Sequence, residues 1–335
     1  MTSTRYTISN SRWGTLTLLS VTGAAVLILS SGFAVADPKA SNSERCSQTS
    51  NAMRKACRYD IQDDFWTAVA NCQNLPALVD QSECIKTARE ARREAGEECG
   101  DVFEAREDVC DLVGQAAYDP DFNPANFVDP DEIGTTVEPN PYFPLVPGAE
   151  WIYEEGDEMV VVVVSNKTKL IEGVTCRVVV DTVRVGGVVK EDTDDWYAQR
   201  DNGDVWYCGE EVKDFETFVG DNPEEPELVA IDGSFKAGRD SAKPGLFMLA
   251  NPQVGDAYRQ EMSLGEAEDY AQVISLTGNE SVPAASCTNN CLVTREGQPT
   301  EPGITADKYY VPGVGPILEV SMDGGRLELI EFSIP

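Results

Sequence analysis

The chain has 335 residues, of which 58 are acidic and 26 basic, giving a formal net charge of −32, and it contains no histidine. Such a charge repels nucleic acids and anionic membrane surfaces, so neither is expected as a partner. Without histidine, a Ser-His-Asp triad, a Cys-His pair and a His-ligated zinc or copper site are excluded. No cofactor is expected on these grounds.

Residues 1–36 have the features of a secretory signal peptide. A positively charged start precedes an apolar run from Leu16 to Phe33, and Ala34-Val35-Ala36 supplies the small residues that a signal peptidase reads. A membrane anchor is the alternative, but threonine and serine interrupt the apolar run. We predict cleavage before Asp37, export to the periplasm or the cell exterior, and no transmembrane segment in the mature protein.

Composition divides the rest of the chain into three parts. Residues 37–116 are rich in Ala, Glu, Arg and Cys. Residues 117–148 contain seven prolines, six acidic residues and no Lys or Arg, whereas residues 149–335 are rich in Val, Tyr, Gly and Asp. We predict segregated α+β domains: a helical hairpin, a Pro-rich acidic linker that is stiff and extended, and an antiparallel β domain.

The first part contains a palindrome of cysteines. Successive gaps are 11, 15, 12, 15 and 11 residues, for Cys46, Cys57, Cys72, Cys84, Cys99 and Cys110. At about 100° per residue, these steps keep the cysteines of each arm near one helix face. We therefore predict two antiparallel helices, roughly 43–74 and 80–115, that turn near Pro76. Three nested disulfides would join them: Cys46–Cys110, Cys57–Cys99 and Cys72–Cys84.

This hairpin resembles the twin Cys-x9-Cys helical hairpins in general plan. The spacings here are x10 and x14, with three bridges, so no family is assigned. The interpretation of the ladder is structural, because disulfides replace the core that so short a hairpin lacks. A redox-active site would need an accessible Cys-x-x-Cys motif, and none is present.

Alternating oxygen-bearing residues in the linker resemble the start of a calcium loop. These weak calcium candidates are Asp119, Asp121 and Asn123. However, Pro124 stands where an EF-hand requires glycine, and Pro130 where it requires glutamate. We therefore interpret the segment as a solvated acidic linker and predict no metal site.

The third part predicts a series of antiparallel strands in a strongly curved sheet or an incomplete barrel. The expected strands are Val160–Val164, Val174–Val185, Trp196–Arg200, Val205–Gly209, 228–236, 256–263, 268–277, 290–296, 305–311, 316–321 and 326–333. Asn202-Gly203 predicts a type I′ hairpin turn. That turn would place Trp206 opposite Gln199 and Cys208 opposite Tyr197. Trp196, Ala198 and Tyr207 would then share the other face.

Four cysteines remain in the β domain, and they allow three pairings. Cys287 and Cys291 would close a tight loop, which leaves Cys176–Cys208. Pairing Cys176 with Cys291 and Cys208 with Cys287 fits the spacing nearly as well. The sequence does not choose between these two arrangements.

Several short motifs occur together in the β domain. They are Pro147-Gly148-Ala149-Glu150-Trp151, Trp196-Tyr197-Ala198-Gln199 with Val205-Trp206-Tyr207, Val254-Gly255-Asp256-Ala257-Tyr258-Arg259 and Tyr310-Val311-Pro312-Gly313-Val314-Gly315. Together they resemble secreted bacterial proteins of unknown function, whose β domains are similar to the curved half-barrels of periplasmic lipoprotein carriers. The resemblance covers roughly 141–335 and implies a fold without catalytic residues.

Three functions are weighed on this basis. The first is a non-catalytic β binding module for an apolar or amphipathic small molecule, lined by Trp196, Trp206, Tyr207 and Tyr258. The second is a structural or interaction protein that meets another protein of the cell envelope or exterior. The third is a hydrolase that uses a pair of carboxylates, because we expect no other kind of enzymatic chemistry in a chain without histidine. Acidic residues are too abundant for the sequence to single out such a pair, and the binding module is preferred.

Overall fold

A computed structural model of the protein describes residues 44–335, so the predicted signal peptide lies outside the described residues. Two helices come first, α1 (Arg45–Gln73) and α2 (Leu78–Val113), followed by a short 3-10 helix at Pro124–Asn126 and fifteen strands. All the strand pairs within this range are antiparallel, and the sheet is open. The predicted fold class is therefore confirmed.

The helices form the predicted hairpin, which turns at residues 74–77. Its three disulfides are those that the palindrome predicts, and the paired Cα atoms lie 5.6, 6.1 and 5.5 Å apart in chain order. These distances fall within the reach of a disulfide. Neither helix has an apolar stretch long enough to cross a membrane.

The outermost bridge of this ladder should stabilise the hairpin more than the innermost one. Cys46–Cys110 joins residues 64 positions apart and Cys72–Cys84 residues 12 apart. With Cys57–Cys99 intact, the outer bridge closes a loop of about 24 residues and the inner bridge one of about 13, so on the chain-entropy model replacing the outer pair by serine should lower the free energy of unfolding by about 0.5 kcal/mol more. Urea denaturation of the two double variants measures the difference. Equal losses would contradict the entropic account of the ladder.

The strands follow one another mostly as neighbours in a single sheet. Their bounds are β1 Glu150–Glu155, β2 Glu158–Ile171, β3 Val174–Val185, β4 Val188–Gln199, β5 Val205–Glu211, β6 Asp214–Glu216, β7 Glu227–Ala230, β8 Phe235–Lys236, β9 Gly245–Met248, β10 Ala257–Arg259, β11 Tyr270–Ser281, β12 Ser286–Gly297, β13 Thr305–Val311, β14 Gly315–Ser321 and β15 Arg326–Ser333. The main order runs β10 to β15, then β1 to β5, and ends at β8. The chain thus starts its sheet in the middle, where β1 pairs with both β15 and β2.

The sheet has a large core on one face and a small cluster on the other. Residues of β1 to β5 and of β10 to β15 form the large core, so the sheet must curve around it. The smaller cluster surrounds the disulfide Cys176–Cys208 and includes Trp196 and Ala198. The fifth disulfide, Cys287–Cys291, closes a tight loop near the end of the β11–β12 hairpin. The structure thus contains the first of the two pairings considered.

The predicted register of the β4–β5 hairpin is wrong by one residue. Trp206 lies opposite Ala198, and Tyr207 lies opposite Tyr197. The loop has three residues between Arg200 and Asp204, and only its last, Gly203, has a positive φ, of 89°. A type I′ turn needs positive φ at both central residues, whereas a three-residue loop ending in such a glycine shifts the pairing.

The Pro-rich segment 117–148 packs against the β domain along much of its length. Ile133, Phe143 and Leu145 are buried in the large core. The Asn140 backbone N–H donates to Gln199 Oε1 at 2.8 Å, and Val128 N–H donates to the Gln199 carbonyl at 3.0 Å. The segment therefore closes one side of the core, where the sequence predicted an extended linker.

A buried ion pair fastens the helical hairpin to the β domain. Arg106 of α2 donates two hydrogen bonds to Glu268, from Nε to Oε2 at 2.9 Å and from Nη2 to Oε1 at 2.6 Å. Gly265 N–H also donates to Glu268 at 2.7 Å. The side chains of Arg106 and Glu268 are 8 % and 2 % exposed. The bidentate geometry and the third donor satisfy a charge that would otherwise be costly to bury.

Candidate ligand-binding site

A cavity of about 290 Å³ lies within the large core, on the face that the sheet curves around. Residues from both ends of the sheet line it, including Tyr207 of β5 and Lys308 of β13. Phe143 of the 117–148 segment contributes to the wall as well. The volume is close to the lower end of the range typical of small-molecule sites.

Aromatic side chains form the apolar part of the wall. Tyr197 and Tyr207 stack with their ring centroids 4.4 Å apart, and Phe247 lies 4.7 Å from the Tyr197 ring. Trp151 Nε1 donates to the Val314 carbonyl at 2.7 Å, and Tyr153 Oη donates to the Pro316 carbonyl at 2.9 Å. The polar atoms of these two rings are thus satisfied by the backbone, which leaves their apolar surfaces to the cavity.

Carboxyl groups form the polar part of the wall, and within residues 44–335 eight of them line the cavity beside a single ammonium group. They are Asp181, Glu191, Asp195, Glu210, Glu261, Asp269, Glu296 and Glu319, and the ammonium belongs to Lys308. They come from five strands and from the segment between β10 and β11. Only the folded sheet brings them together.

Strand geometry explains how these carboxyls reach one cavity. On β4, Glu191, Asp195 and Tyr197 lie at odd positions and share the inward face, because successive side chains of a strand alternate. On β5, a bulge between Tyr207 and Gly209 adds a residue, which turns Glu210 inward. Gly209 has φ of 133°, and a Cβ there would collide with the backbone of β8. A glycine is therefore required at the bulge.

Tyr207 joins two of the carboxyls. Its hydroxyl donates to Asp195 and lies 3.1 Å from Glu210 Oε2. A phenol has a single proton to donate, so a protonated Glu210 satisfies the second contact by donating to the phenol oxygen. Burial agrees with this arrangement, since it raises the pKa of Glu210 well above 4.5 and that of Asp195 to about 7.

The carboxylates of Glu296 and Glu319 hold Lys308 in place. Its Nζ lies 3.1 Å from Glu296 and 3.5 Å from Glu319. Tyr310 Oη also donates to Glu296, at 3.0 Å. Burial alone would lower the pKa of Lys308, but Glu296 and Glu319 outweigh it and hold the pKa well above 10.5. The ammonium is therefore charged, and these two carboxylates balance it.

Three further carboxyls face the cavity without a hydrogen-bond donor among residues 44–335. They are Asp181, Glu261 and Asp269, and Asp181 Oδ1 is fully buried as well. Burial raises the pKa of Asp269 to about 7, and burial followed by the charge of Asp269 raises the pKa of Glu261 well above 4.5. The pKa of Asp181 rises well above 3.8 through burial and the charge of Asp195. This wall can hold protons or attract a cation.

The structure places only one of the four predicted binding residues at this cavity. Tyr207 lines it, whereas Tyr258 is buried in the core and is not part of the wall. Trp196 and Trp206 lie on the opposite face. Lys169 Nζ lies 3.3 Å above the Trp196 ring, and the Arg200 guanidinium lies 4.6 Å from the Trp206 ring centroid. The predicted register had placed Tyr207 on the face of Trp196, and Trp206 on the face of Tyr197.

The weak calcium candidates are engaged with other protein groups. Asp119 pairs with Lys243 at 2.8 Å, and Asp121 accepts from Asn126 at 2.9 Å. Asn123 caps the short 3-10 helix by accepting from Ala125 N–H. No group of three or more Asp, Glu, Cys or His side chains that could hold a metal ion occurs in the described part of the chain.

Comparison with known proteins gives no relative from which a function could be transferred. No family model, curated protein or solved structure matches the chain. The resemblance to secreted bacterial proteins with half-barrel domains therefore stays a prediction. The cavity, its charges and its aromatic wall are the features of the molecule from which a function can be inferred.

Proposed function

We propose that the protein is exported and acts as a non-catalytic binding protein, whose β domain holds an amphipathic small molecule in the central cavity. The observation that carries this proposal is the cavity itself, because about 290 Å³ of space is lined by both aromatic rings and carboxyls. A concave space of that size is close to what a small molecule occupies. A mixed wall of this kind fits a ligand with an apolar part and a polar part.

The disulfides support export. All ten cysteines are paired, in five bridges. Such bridges persist outside the reducing cytoplasm. The strongly acidic composition agrees with a protein that stays soluble and apart from anionic membrane surfaces.

Filling the cavity should abolish ligand binding while the fold survives. Val162 of β2 is half-buried and lines the cavity, so a Val162→Trp side chain would occupy the space of a ligand. The strain of such overpacking should cost about 1–3 kcal/mol. Native mass spectrometry of protein purified from its own host should show a bound small molecule in the natural protein and none in the variant.

Val163→Trp is the matched control, because Val163 is the next residue of β2 and its side chain points to the other face. This variant should keep the ligand. Loss of the ligand in both variants would indicate damage to the sheet, and an empty natural protein would contradict the proposed function. Recovery of the ligand chemically unchanged after long incubation separates binding from hydrolysis by the carboxyls.

A further inference from the structure

The cavity wall has many more carboxyl groups than cationic groups. Lys308 is matched by Glu296 and Glu319, which lie 3.1 and 3.5 Å from its Nζ. The other six carboxyls of the wall form no ion pair with any residue in 44–335. Once ionised, these six carboxyls would carry a negative charge that no described part of the chain offsets, so the empty wall favours bound protons, which a bound cation would replace.

Glu261 shows the imbalance most clearly. It is 9 % exposed, and its carboxyl lines the cavity without receiving a hydrogen bond from residues 44–335. The backbone around it is fixed, because the N–H groups of Gln260 and Glu261 both donate to the Asp269 carbonyl, at 2.8 and 3.1 Å. Burying an unpaired carboxylate costs several kcal/mol, so the site favours either a bound proton or a cation.

The distribution of the carboxyls favours an organic cation over a metal ion. A metal ion needs several ligands at one point, and no three acidic side chains in the described part of the chain converge in this way. The unmatched groups come instead from β3, β4, β5 and the segment between β10 and β11. The stacked rings of Tyr197 and Tyr207 line the same cavity. Aromatic faces attract ammonium groups and also accommodate alkyl chains.

We infer that the ligand is an organic ammonium compound, with its charge held by Glu261 and Asp269 and its apolar part against the aromatic wall. This inference rests on the proposed binding function and specifies its ligand class. The acidic wall repels anions for the same reason that it attracts amines. A neutral ligand of the same shape gains the apolar contacts alone.

Three probes with the same eight-carbon chain test the inference: octylammonium, octanoate and 1-octanol. Isothermal titration of the full-length mature protein should show octylammonium binding at least about tenfold more tightly than 1-octanol, and no binding of octanoate. The Glu261→Gln substitution should weaken octylammonium binding by about tenfold or more and leave 1-octanol binding unchanged. Glu331→Gln is the matched control, because Glu331 is exposed on β15, and it should change neither affinity.

The outcomes separate this inference from the proposed function. Equal binding of octylammonium and 1-octanol, with no effect of Glu261→Gln, would overturn the ammonium ligand and leave a cavity for neutral molecules. Tighter binding of octanoate would overturn it as well. Failure of all three probes to bind, together with an empty protein from the host, would remove the binding function and the inference with it.

Discussion

Replacing Arg106 by leucine should lower the free energy of unfolding by about 3–5 kcal/mol. The substitution removes both hydrogen bonds from the guanidinium and leaves the Glu268 carboxylate, 2 % exposed, with Gly265 N–H as its remaining donor. The loss comes mainly from the unpaired buried charge. Urea denaturation of the disulfide-intact protein measures it.

Two comparisons make this prediction specific to the buried pair. Arg93→Leu breaks the exposed ion pair with Glu97, where the side chains are 62 % and 67 % exposed, and should cost less than about 1 kcal/mol. The double change of Arg106 and Glu268 to leucine should recover much of the stability, because apolar replacement of both partners removes the unpaired charge. A loss for Arg106→Leu no larger than that for Arg93→Leu would show that the pair does not hold the hairpin.

Stability should fall as the pH rises from about 4 to about 8. The buried Asp195 has its pKa raised from 3.8 to about 7 by burial, so the folded protein binds its proton more tightly than the unfolded chain does. Its contribution is fully present below pH 4 and is lost as the pH rises through about 7. For Asp195 alone, this difference in pKa between the folded and unfolded states corresponds to about 4 kcal/mol of stability. Denaturation at a series of pH values measures the slope.

Asp195→Asn should flatten this slope, because an amide does not titrate and its oxygen still accepts from Tyr207. Glu331→Gln removes the same charge from an exposed position and should leave the slope nearly unchanged. This control separates the buried group from the general repulsion within a highly acidic protein. A slope that both variants reduce equally would assign the effect to net charge.

The helical hairpin could be predicted from sequence because a few residues determine it. Disulfides demand short Cα separations, so a palindrome of six cysteines admits one nested ladder on two helices. Residues near Pro76 supply the turn, and the predicted helix ends agree with α1 and α2 to within two residues. The spacing of the cysteines along the chain was therefore sufficient to predict the hairpin.

The cavity could not be predicted in the same way. Its carboxyls are separated by more than a hundred residues along the chain, from Asp181 to Glu319, among 58 acidic residues. One local signal did exist: β4 continues back from Tyr197 to Val188, and Glu191, Thr193 and Asp195 alternate in phase with Tyr197. Polar residues on the inward face of a strand indicate a site, but acidic residues are too abundant in this chain for the sequence to single them out.

The β4–β5 hairpin shows how a small error changes a functional prediction. Asn202-Gly203 indicated a two-residue turn, but the loop contains three residues. Because side chains alternate, the shift of one residue moved Tyr207 to the wrong face. The predicted register grouped Tyr207 with Trp196 and Trp206 with Tyr197, whereas both tryptophans lie on one face and both tyrosines on the other.

The docked hairpin has a consequence for self-association. An open sheet ends in strands whose unpaired N–H and C=O groups can recruit a second chain. At one end, α2 contacts β10, the terminal strand, and at the other end β8 has only two residues. The main strand path thus ends under a helix at β10 and in a very short strand at β8. The disulfide ladder and the Arg106–Glu268 pair keep α2 beside β10 and thereby hinder the pairing of that edge with a second chain.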